Sequence, residues 1–494
     1  CNILLTRCSM TKILIMTSVP ATINSFIKAL DGFIEFKHIQ YKNQDEFLDI
    51  DPSFKGIGFC SVQYLKMGND ELKKKKQNKL SELNFDCLIF DESHHGSSNK
   101  NTKDTIISKS DIKKLIHSKL VIFASGTGDK TKHYYDIPSQ CVYDWDIIDE
   151  GCMKQIGLGE IDESKKFMIL RHGGDFIHSL ADDTLNRDYS KYPSQVLIQP
   201  TIVEQMIKMI KDHNAEYGTN FGFDFASILA LDEYKSKSKK KTYKNKFQIC
   251  KTDAGRKMLK KILSMIISDN PMDYTVMKEI EETQSASESK QSTEQDCGMY
   301  LMYLPIHNRN GSISKIQETL YLFLQEHSLW SQFNIEYTNG SSRSIHTNDL
   351  NDFINKSMEK TKDNSKKGCI LLLGNQGTLG IDYPDCLGTI SLDNGHNIDS
   401  QKQRWARAGM DSEGKKIFIN VDMNIQRTYL MLDNKMREYK KSHPDTTKTY
   451  QEILKFYYDQ KIFIFNPSKI NFGASEVTTI NYFEKIANEI RSII

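Results

Sequence analysis

Residues Phe85–His95 read FDCLIFDESHH. The apolar run Cys87–Phe90 stops abruptly at two acids, Asp91 and Glu92, with Ser93 and His94 directly behind them. In an open parallel α/β sheet, ligands gather beyond the carboxyl ends of the strands, so both acids are expected to face a crevice. Hydrolysis of a nucleoside triphosphate needs one carboxylate to hold Mg²⁺, usually through water, and another to orient the attacking water. Adjacent acids at a strand end supply both. An acidic turn leaving a strand looks the same in isolation, so the rest of the chain has to decide.

Outward from this stretch, the first 150 residues alternate short apolar runs with helical patterns, the signature of a parallel sheet covered by helices. Strands are expected at Ile13–Met16, Gly56–Ser61, Cys87–Phe90 and Val121–Ala124, with helices at Ala21–Leu30 and Asp111–Ser118. From about Gly151 to Gln295 this rhythm is lost. That region holds a basic tract, Lys235–Lys246, and a Ser/Glu/Gln stretch, Glu281–Gln295, with the composition of a flexible linker. Alternation resumes at Gly298 with Met299–Leu304, Phe333–Tyr337, Cys369–Leu373, Thr389–Leu392 and Lys416–Val421, and the tail from Asn424 is mainly helical. The expected class is α/β, with two parallel-sheet lobes (1–150 and 298–423), an irregular middle region (151–297) and a helical C-terminal extension (424–494).

Composition narrows the function. At roughly 100–200 residues per domain, 494 residues hold two to four domains. Lys+Arg 66 against Asp+Glu 64 leaves +2, so any polyanion site is a local patch and not a field of the whole protein. The ten cysteines show no CxxC pair and no zinc spacing, which reads as buried free thiols in a reducing compartment and argues against a structural metal. The longest apolar runs fall far short of the ~20 residues that span a bilayer. A soluble, intracellular protein with no membrane partner is expected.

Three further stretches accompany the acids. Ala124–Thr127 reads ASGT, two hydroxyls around a glycine at the next strand end, a pattern that ordinary turns also show. Cys369–Cys386 reads CILLLGNQGTLGIDYPDC: a strand, a Gly-rich loop, then Gly380-Ile381-Asp382 ahead of Pro384. Asp382 can accept a hydrogen bond from a ribose hydroxyl. Twenty-one residues beyond Asp382 stands Gln403-Arg404-Trp405-Ala406-Arg407. Arginines three apart share a helix face and reach phosphate oxygens as arginine fingers do. A surface helix with ordinary ion pairs is the competing reading. Two of the chain's eleven arginines fall here, where lysine predominates elsewhere.

In this order and spacing, DESH, SGT, LGIDYP and QRWAR resemble motifs II, III, V and VI of the superfamily 2 helicases. ILIMTSVPATINSF (13–26) is similar to motif Ia, and GFCSVQYL (58–65) to the next nucleic-acid-contacting segment. Within the superfamily the layout looks most like the DExH helicases of large cytoplasmic DNA viruses, akin to the Res subunit of restriction enzymes. The resemblance covers 13–150 and 298–423. It implies two RecA-like lobes, ATP and Mg²⁺ as cofactors, DNA or RNA as partner, and, if the source is viral, a cytoplasmic factory or the virion as location. Asp91 would coordinate Mg²⁺, Glu92 would act as general base and His94 would couple the nucleotide to the second lobe. Ser125 and Thr127 would link hydrolysis to motion. Gly380 and Asp382 would line the cleft near the ribose and nucleic acid, and Gln403, Arg404 and Arg407 would sense the γ-phosphate. Ser18, Thr22 and Ser61 would contact strand phosphates.

The pattern breaks in two places. No GxxxxGK[ST] loop, whose amides and lysine cradle the β- and γ-phosphates, occurs in the chain. Thr6–Thr11, TRCSMT, is a faint echo with Ser9 and Met10 at the glycine and lysine positions. Two expectations follow. One is a chain that starts downstream of its phosphate loop, favoured by Cys1 in place of Met, and the other is a protein that has lost the cradle and binds without hydrolysing. Met410 also stands where QRxGRxxR carries its last arginine, and Ala406 replaces the glycine. The functional expectation is an ATP-dependent helicase or translocase whose chain, as read, is incomplete for catalysis and hydrolyses ATP weakly or not at all, with a non-catalytic nucleic-acid-binding or scaffold protein as the alternative.

Overall fold

The structure, a computed structural model, describes residues 4–5, 8, 10–17, 22–91, 118–125, 135–145, 147–157, 162–174, 193–198, 200, 202–218, 225–229, 231–234, 246–249, 253–286, 297–305, 313–338, 350–374, 383, 385–393, 398–410, 415–443, 445–459 and 463–465. It divides into two compact units, Cys1–Asp144 and Trp145–Ile494.

The first unit is built on strands β1 (Lys12–Thr17), β2 (Tyr41–Lys42), β3 (Gly56–Ser61), β4 (Cys87–Asp91) and β5 (Leu120–Phe123), all parallel, in the order β2-β3-β1-β4-β5. Helices α1 (Thr22–Asp31), α2 (Val62–Lys66) and α3 (Asp70–Leu83) connect them. Side chains alternate along a strand, and both faces here are apolar. Ile13 and Ile15 join Ile57, Phe59 and Ile23 of α1 on one side. Leu14 and Met16 join Leu88, Phe90 and the α3 residues Leu80 and Leu83 on the other. A sheet buried on both faces reads as continuous apolar runs instead of alternation, which is why these strands were legible.

The second unit begins with α4 (Ile147–Gly157) and α5 (Asp162–His172), then β6 (Ser194–Ile198), α6 (Val203–Tyr217), α7 (Phe225–Ile228), the antiparallel pair β7 (Leu231–Tyr234) and β8 (Lys246–Ile249), α8 (Asp253–Ile266) and α9 (Val276–Ala286). Its central part runs β9 (Gly298–Tyr303), α10 (Ile313–Glu326), β10 (Phe333–Tyr337), α11 (Leu350–Asp363), β11 (Gly368–Leu373), β12 (Cys386–Ser391), α12 (Ile398–Ala406) and β13 (Ile417–Asp422). It closes with α13 (Ile425–Ser442), α14 (Tyr450–Asp459) and β14 (Phe463–Phe465). Seven parallel strands form one sheet, ordered β10-β11-β9-β12-β13-β6-β14.

Counted from its own first strand, β9, the larger sheet repeats the order of the smaller one: second, third, first, fourth, fifth. Two parallel sheets flanked by helices are the α/β class expected for two RecA-like lobes. The described residues of 151–297 are largely helical and also supply β6, which pairs with β13 and buries Val196 and Ile198 in the main core. Glu281–Ala286, expected as the start of a linker, is the last part of α9. The basic tract meets the described residues only at Lys246, which opens β8.

Helices α8 and α10 cover one face of the larger sheet, and Trp330, fully buried, ties them by donating its indole N–H to the Leu263 carbonyl at 3.0 Å. The other face is shared between α11 and a second layer in which α4, α5, α13 and α14 close around Leu197 and Trp405. Cys60, Cys87, Cys152, Cys297, Cys369 and Cys386 are buried free thiols as expected, whereas Cys8 and Cys141 are exposed free thiols. Burial pushes the Cys60 thiol up to about 12, so it stays protonated and inert.

Candidate active site

In both sheets the first and fourth strands are neighbours, and the chain leaves them in opposite directions. Such a junction opens a crevice at the carboxyl ends of the strands. In the first unit it lies between β1 and β4, where Thr17 pairs with Asp91. The row continues to Ser61 of β3, which pairs with Thr17, and to Ala124, whose N–H donates to the Phe90 carbonyl at 2.7 Å. Asp91 is half-buried at this edge, Thr17 is buried and Ser125 is half-buried. Glu92, His94 and Thr127 lie outside the described residues, as does Ser18.

Ser61 sits on the same row but is fully buried, and its hydroxyl is spoken for. It donates to Gln44 Oε1 at 2.8 Å and accepts the Tyr64 N–H at 3.1 Å, capping α2. Ser61 therefore ends a strand and starts a helix, a structural duty that its hydroxyl chemistry explains. Thr22 opens α1, the helix that follows β1.

The TRCSMT stretch ends at the opposite edge. Thr11 donates both its N–H (2.8 Å) and its hydroxyl (3.1 Å) to Asp86 Oδ2, just before β1 and β4 begin. Six residues at ~3.3 Å each put Thr11 about 20 Å from the edge that carries Asp91. Burial would raise the Asp86 carboxyl, but Lys119 and the Thr11 and Lys12 donors hold it down at about 2. Thr11 is a sheet fastener, not the end of a phosphate cradle.

In the second unit the corresponding row is Leu373, Tyr303, Ser391 and Asp422. The QRWAR helix, α12, is laid against it. Gln401, Arg404 and Trp405 are buried, at the i, i+3, i+4 spacing of one helix face, and Ala408, just past the helix, is buried too. Gln401 Nε2 donates to Ser391 Oγ at 2.5 Å. Arg404 Nη1 meets Asp393 Oδ2 at 3.0 Å, and its guanidinium lies 5.1 Å over the Tyr303 ring. Trp405 is a packing anchor in the helical layer. The helix ends at Ala406, and the Arg407 N–H donates to the Arg404 carbonyl at 3.2 Å. The two arginines thus do not share a face: Arg404 is inside, while Arg407 and Gln403 are half-buried. Gly380 and Asp382 lie outside the described residues.

Asp393 Oδ2 also meets Arg427 Nη1 at 3.1 Å, and Arg427 forks onto Asp422 with two 2.8 Å contacts. Burial raises the Asp422 carboxyl above its ordinary value against the pull of Arg427, and burial of Arg427 is outweighed by Asp422 and Asp393, which raise its pKa. Burial likewise lifts the phenols of Tyr303 and Tyr383, with Arg407 acting against it in both. Asp393, Asp422 and Arg427 escaped the sequence reading. The apolar strands ending in Asp393 and Asp422 were the only available signal.

No group of three or more His, Cys, Asp or Glu side chains gathers as a metal site among the described residues, nor is any described helix long and apolar enough to cross a membrane. No family model and no curated protein matches the chain. Among solved structures it is similar to S. cerevisiae Dbp5 bound to RNA and ADP BeF3, with TM-score 0.39 and 10% identity over 98% of this chain and 81% of that one. A leucine-to-valine variant of Dbp5, also bound to RNA and ADP BeF3, aligns with TM-score 0.40 and 10% identity over 97% and 81%. At this distance the functional reading stands on the chain's own residues.

Proposed function

We propose that the protein is a DExH-type, superfamily 2 helicase or translocase that couples turnover of ATP to movement along a nucleic acid. One observation carries the reading. Two sheets of the same strand order each present their motif charges at the carboxyl edge beside the first strand: Asp91 in one, and α12 with Arg404 and Arg407 in the other.

The donor chemistry suits the cofactor. Mg²⁺ takes hard oxygen ligands and usually one or two carboxylates, leaving its remaining positions to phosphate and water. A half-buried aspartate at a strand end fits that need. Asp91 would hold the ion, which when bound neutralises phosphate charge. Glu92, one residue on, takes the proton of the attacking water, and His94, Ser125 and Thr127 carry the change toward the nucleic acid. Gly380 and Asp382 would serve the ribose and the strand, and Gln403 and Arg407 would sense the γ-phosphate. Ser18 and Thr22 would contact strand phosphates. The viral affinity of the motif layout belongs to the same reading.

A second reading is favoured by the place of Thr11: with TRCSMT ending at the far edge, no phosphate loop is supplied by this stretch. The protein would then bind nucleic acid as a scaffold without turnover. Nucleic-acid-stimulated ATPase, measured with Glu92→Gln alongside, separates the two. With no phosphate loop in the chain, we expect only weak stimulated turnover in the wild type, lowered further by Glu92→Gln, with nucleic-acid binding retained. Robust turnover that survives Glu92→Gln refutes the catalytic assignment. Salt-sensitive binding indifferent to nucleotide, with no turnover, supports the scaffold.

A further inference from the structure

We propose that Asp393, outside every motif, is a positioning residue for the arginine helix; this rests on the reading of α12 as the phosphate-facing element. One of its oxygens, Oδ2, is shared by Arg404 at 3.0 Å and Arg427 at 3.1 Å. All three side chains are almost completely buried, with relative exposures of 7%, 6% and 1% for Arg404, Asp393 and Arg427. Two guanidinium groups repel, and neither is tolerated inside a protein without a counter-charge. Asp393 and Asp422 supply one negative charge for each. Asp393 touches both cations, so it joins α12 to α13 through a single carboxylate placed where the chain leaves β12.

That bridge sets where Arg407 stands. Arg407 comes one residue after α12 ends, in a turn closed by its N–H on the Arg404 carbonyl. Gln401 on Ser391 fixes the near end of the same face, and Arg404 on Asp393 fixes the far end. Arg404 is therefore the root of the arginine pair and Arg407 its reaching member. Loss of the Asp393 charge lets the last turn of α12 shift without touching the nucleotide itself, and displacement of about 1 Å is enough to cost ~10²-fold in rate.

The test is steady-state, nucleic-acid-stimulated ATPase of the full chain with Asp393→Asn, Arg407→Ala and the pair combined. Tryptophan emission first confirms that each variant is folded. We expect Asp393→Asn to lower kcat at least tenfold with KM for ATP changed less than threefold. Arg407→Ala should lose a similar factor, and the double variant no more than the larger single loss, because the two act as a unit. Arg404→Lys, which keeps a cation for Asp393 but loses the planar fork, should reproduce the kcat effect if Asp393→Asn does not fold. Multiplying losses in the double variant, or kcat unchanged in Asp393→Asn or Arg404→Lys, overturns the proposal while leaving the functional reading intact. A wild type without turnover overturns both.

Discussion

Removing Arg427 should expose how this cluster is held. Arg427 is 1% exposed, and its charge-assisted hydrogen bonds include two of 2.8 Å to Asp422 and one of 3.1 Å to Asp393. Arg427→Met keeps most of the length and apolar bulk but strands the buried Asp422 carboxylate and leaves Asp393 to Arg404. Breaking a buried ion pair by deleting one partner costs about 3–5 kcal/mol. The sign of the pH dependence follows from Asp422, whose folded pKa is already raised by burial. An acid with a raised folded pKa holds its proton in the folded state after the unfolded chain has released it, so stability falls as pH rises through that window. In the variant the opposing pull of Arg427 is gone and the window widens upward. The penalty should therefore be near its full size at pH 8 and clearly smaller at pH 5. Urea unfolding followed by tryptophan emission measures it cleanly, because Trp145, Trp330 and Trp405 all lie in the second unit and are the only three in the chain. Adding Asp422→Asn to Arg427→Met should recover part of the loss. A penalty under about 1 kcal/mol at pH 8, or one equal at both pH values, would refute the idea that charge pairing organises this edge of the sheet.

Gly388→Ala should destabilise the second unit by about 1–3 kcal/mol, read as a lower urea midpoint by the same emission signal. A Cβ there would stand 2.5 Å from the Ile419 carbonyl oxygen, in the strand pair β12–β13, where backbone must move. Lys76→Met should cost about 1–3 kcal/mol in the first unit and speed amide exchange in α2. The buried ammonium of Lys76 donates to the Tyr64 and Met67 carbonyls at 2.7 and 3.1 Å and sits 3.7 Å over the Tyr64 ring. Asp86→Asn should cost about 2 kcal/mol at neutral pH and flatten the acid limb of the first unit's stability. The carboxyl is held down at about 2 in the folded state, so its contribution is present above the ordinary carboxylate range and is lost as pH falls from about 4 toward 2. Hydrogen exchange of β1 and β4 amides from pH 5 downward checks both parts.

The strands were readable because each is a local property: five or six apolar residues in a row have no stable place except inside a sheet covered on both faces. Gly56–Ser61 and Phe333–Tyr337 appear as read, the other strands expected from the sequence differ by a few residues at their ends, and β2, β6 and β14 were not expected. β6, SQVLI, is just as apolar but stands isolated among helical stretches, and only its pairing with β13 shows that it belongs to the larger sheet. Lys76 shows the same limit from the side of charge. KKKK reads as a solvated face, yet Lys76 turns inward to two carbonyls that no local pattern announces.

By itself, then, the sequence determined the α/β class, the two groups of parallel strands and the place of Asp91 at a strand end, since all three follow from where apolar runs begin and stop. Only the tertiary structure decided that the two sheets share one strand order and that TRCSMT ends at the wrong edge for a phosphate loop. It alone separated Arg404, buried on Asp393, from Arg407 beyond the helix end. The physical reason is range. Burial of a run depends on its own residues, whereas the partner of a charge is set by chain segments that meet only once the sheet has formed: Arg427 reaches Asp393 across 34 residues of sequence.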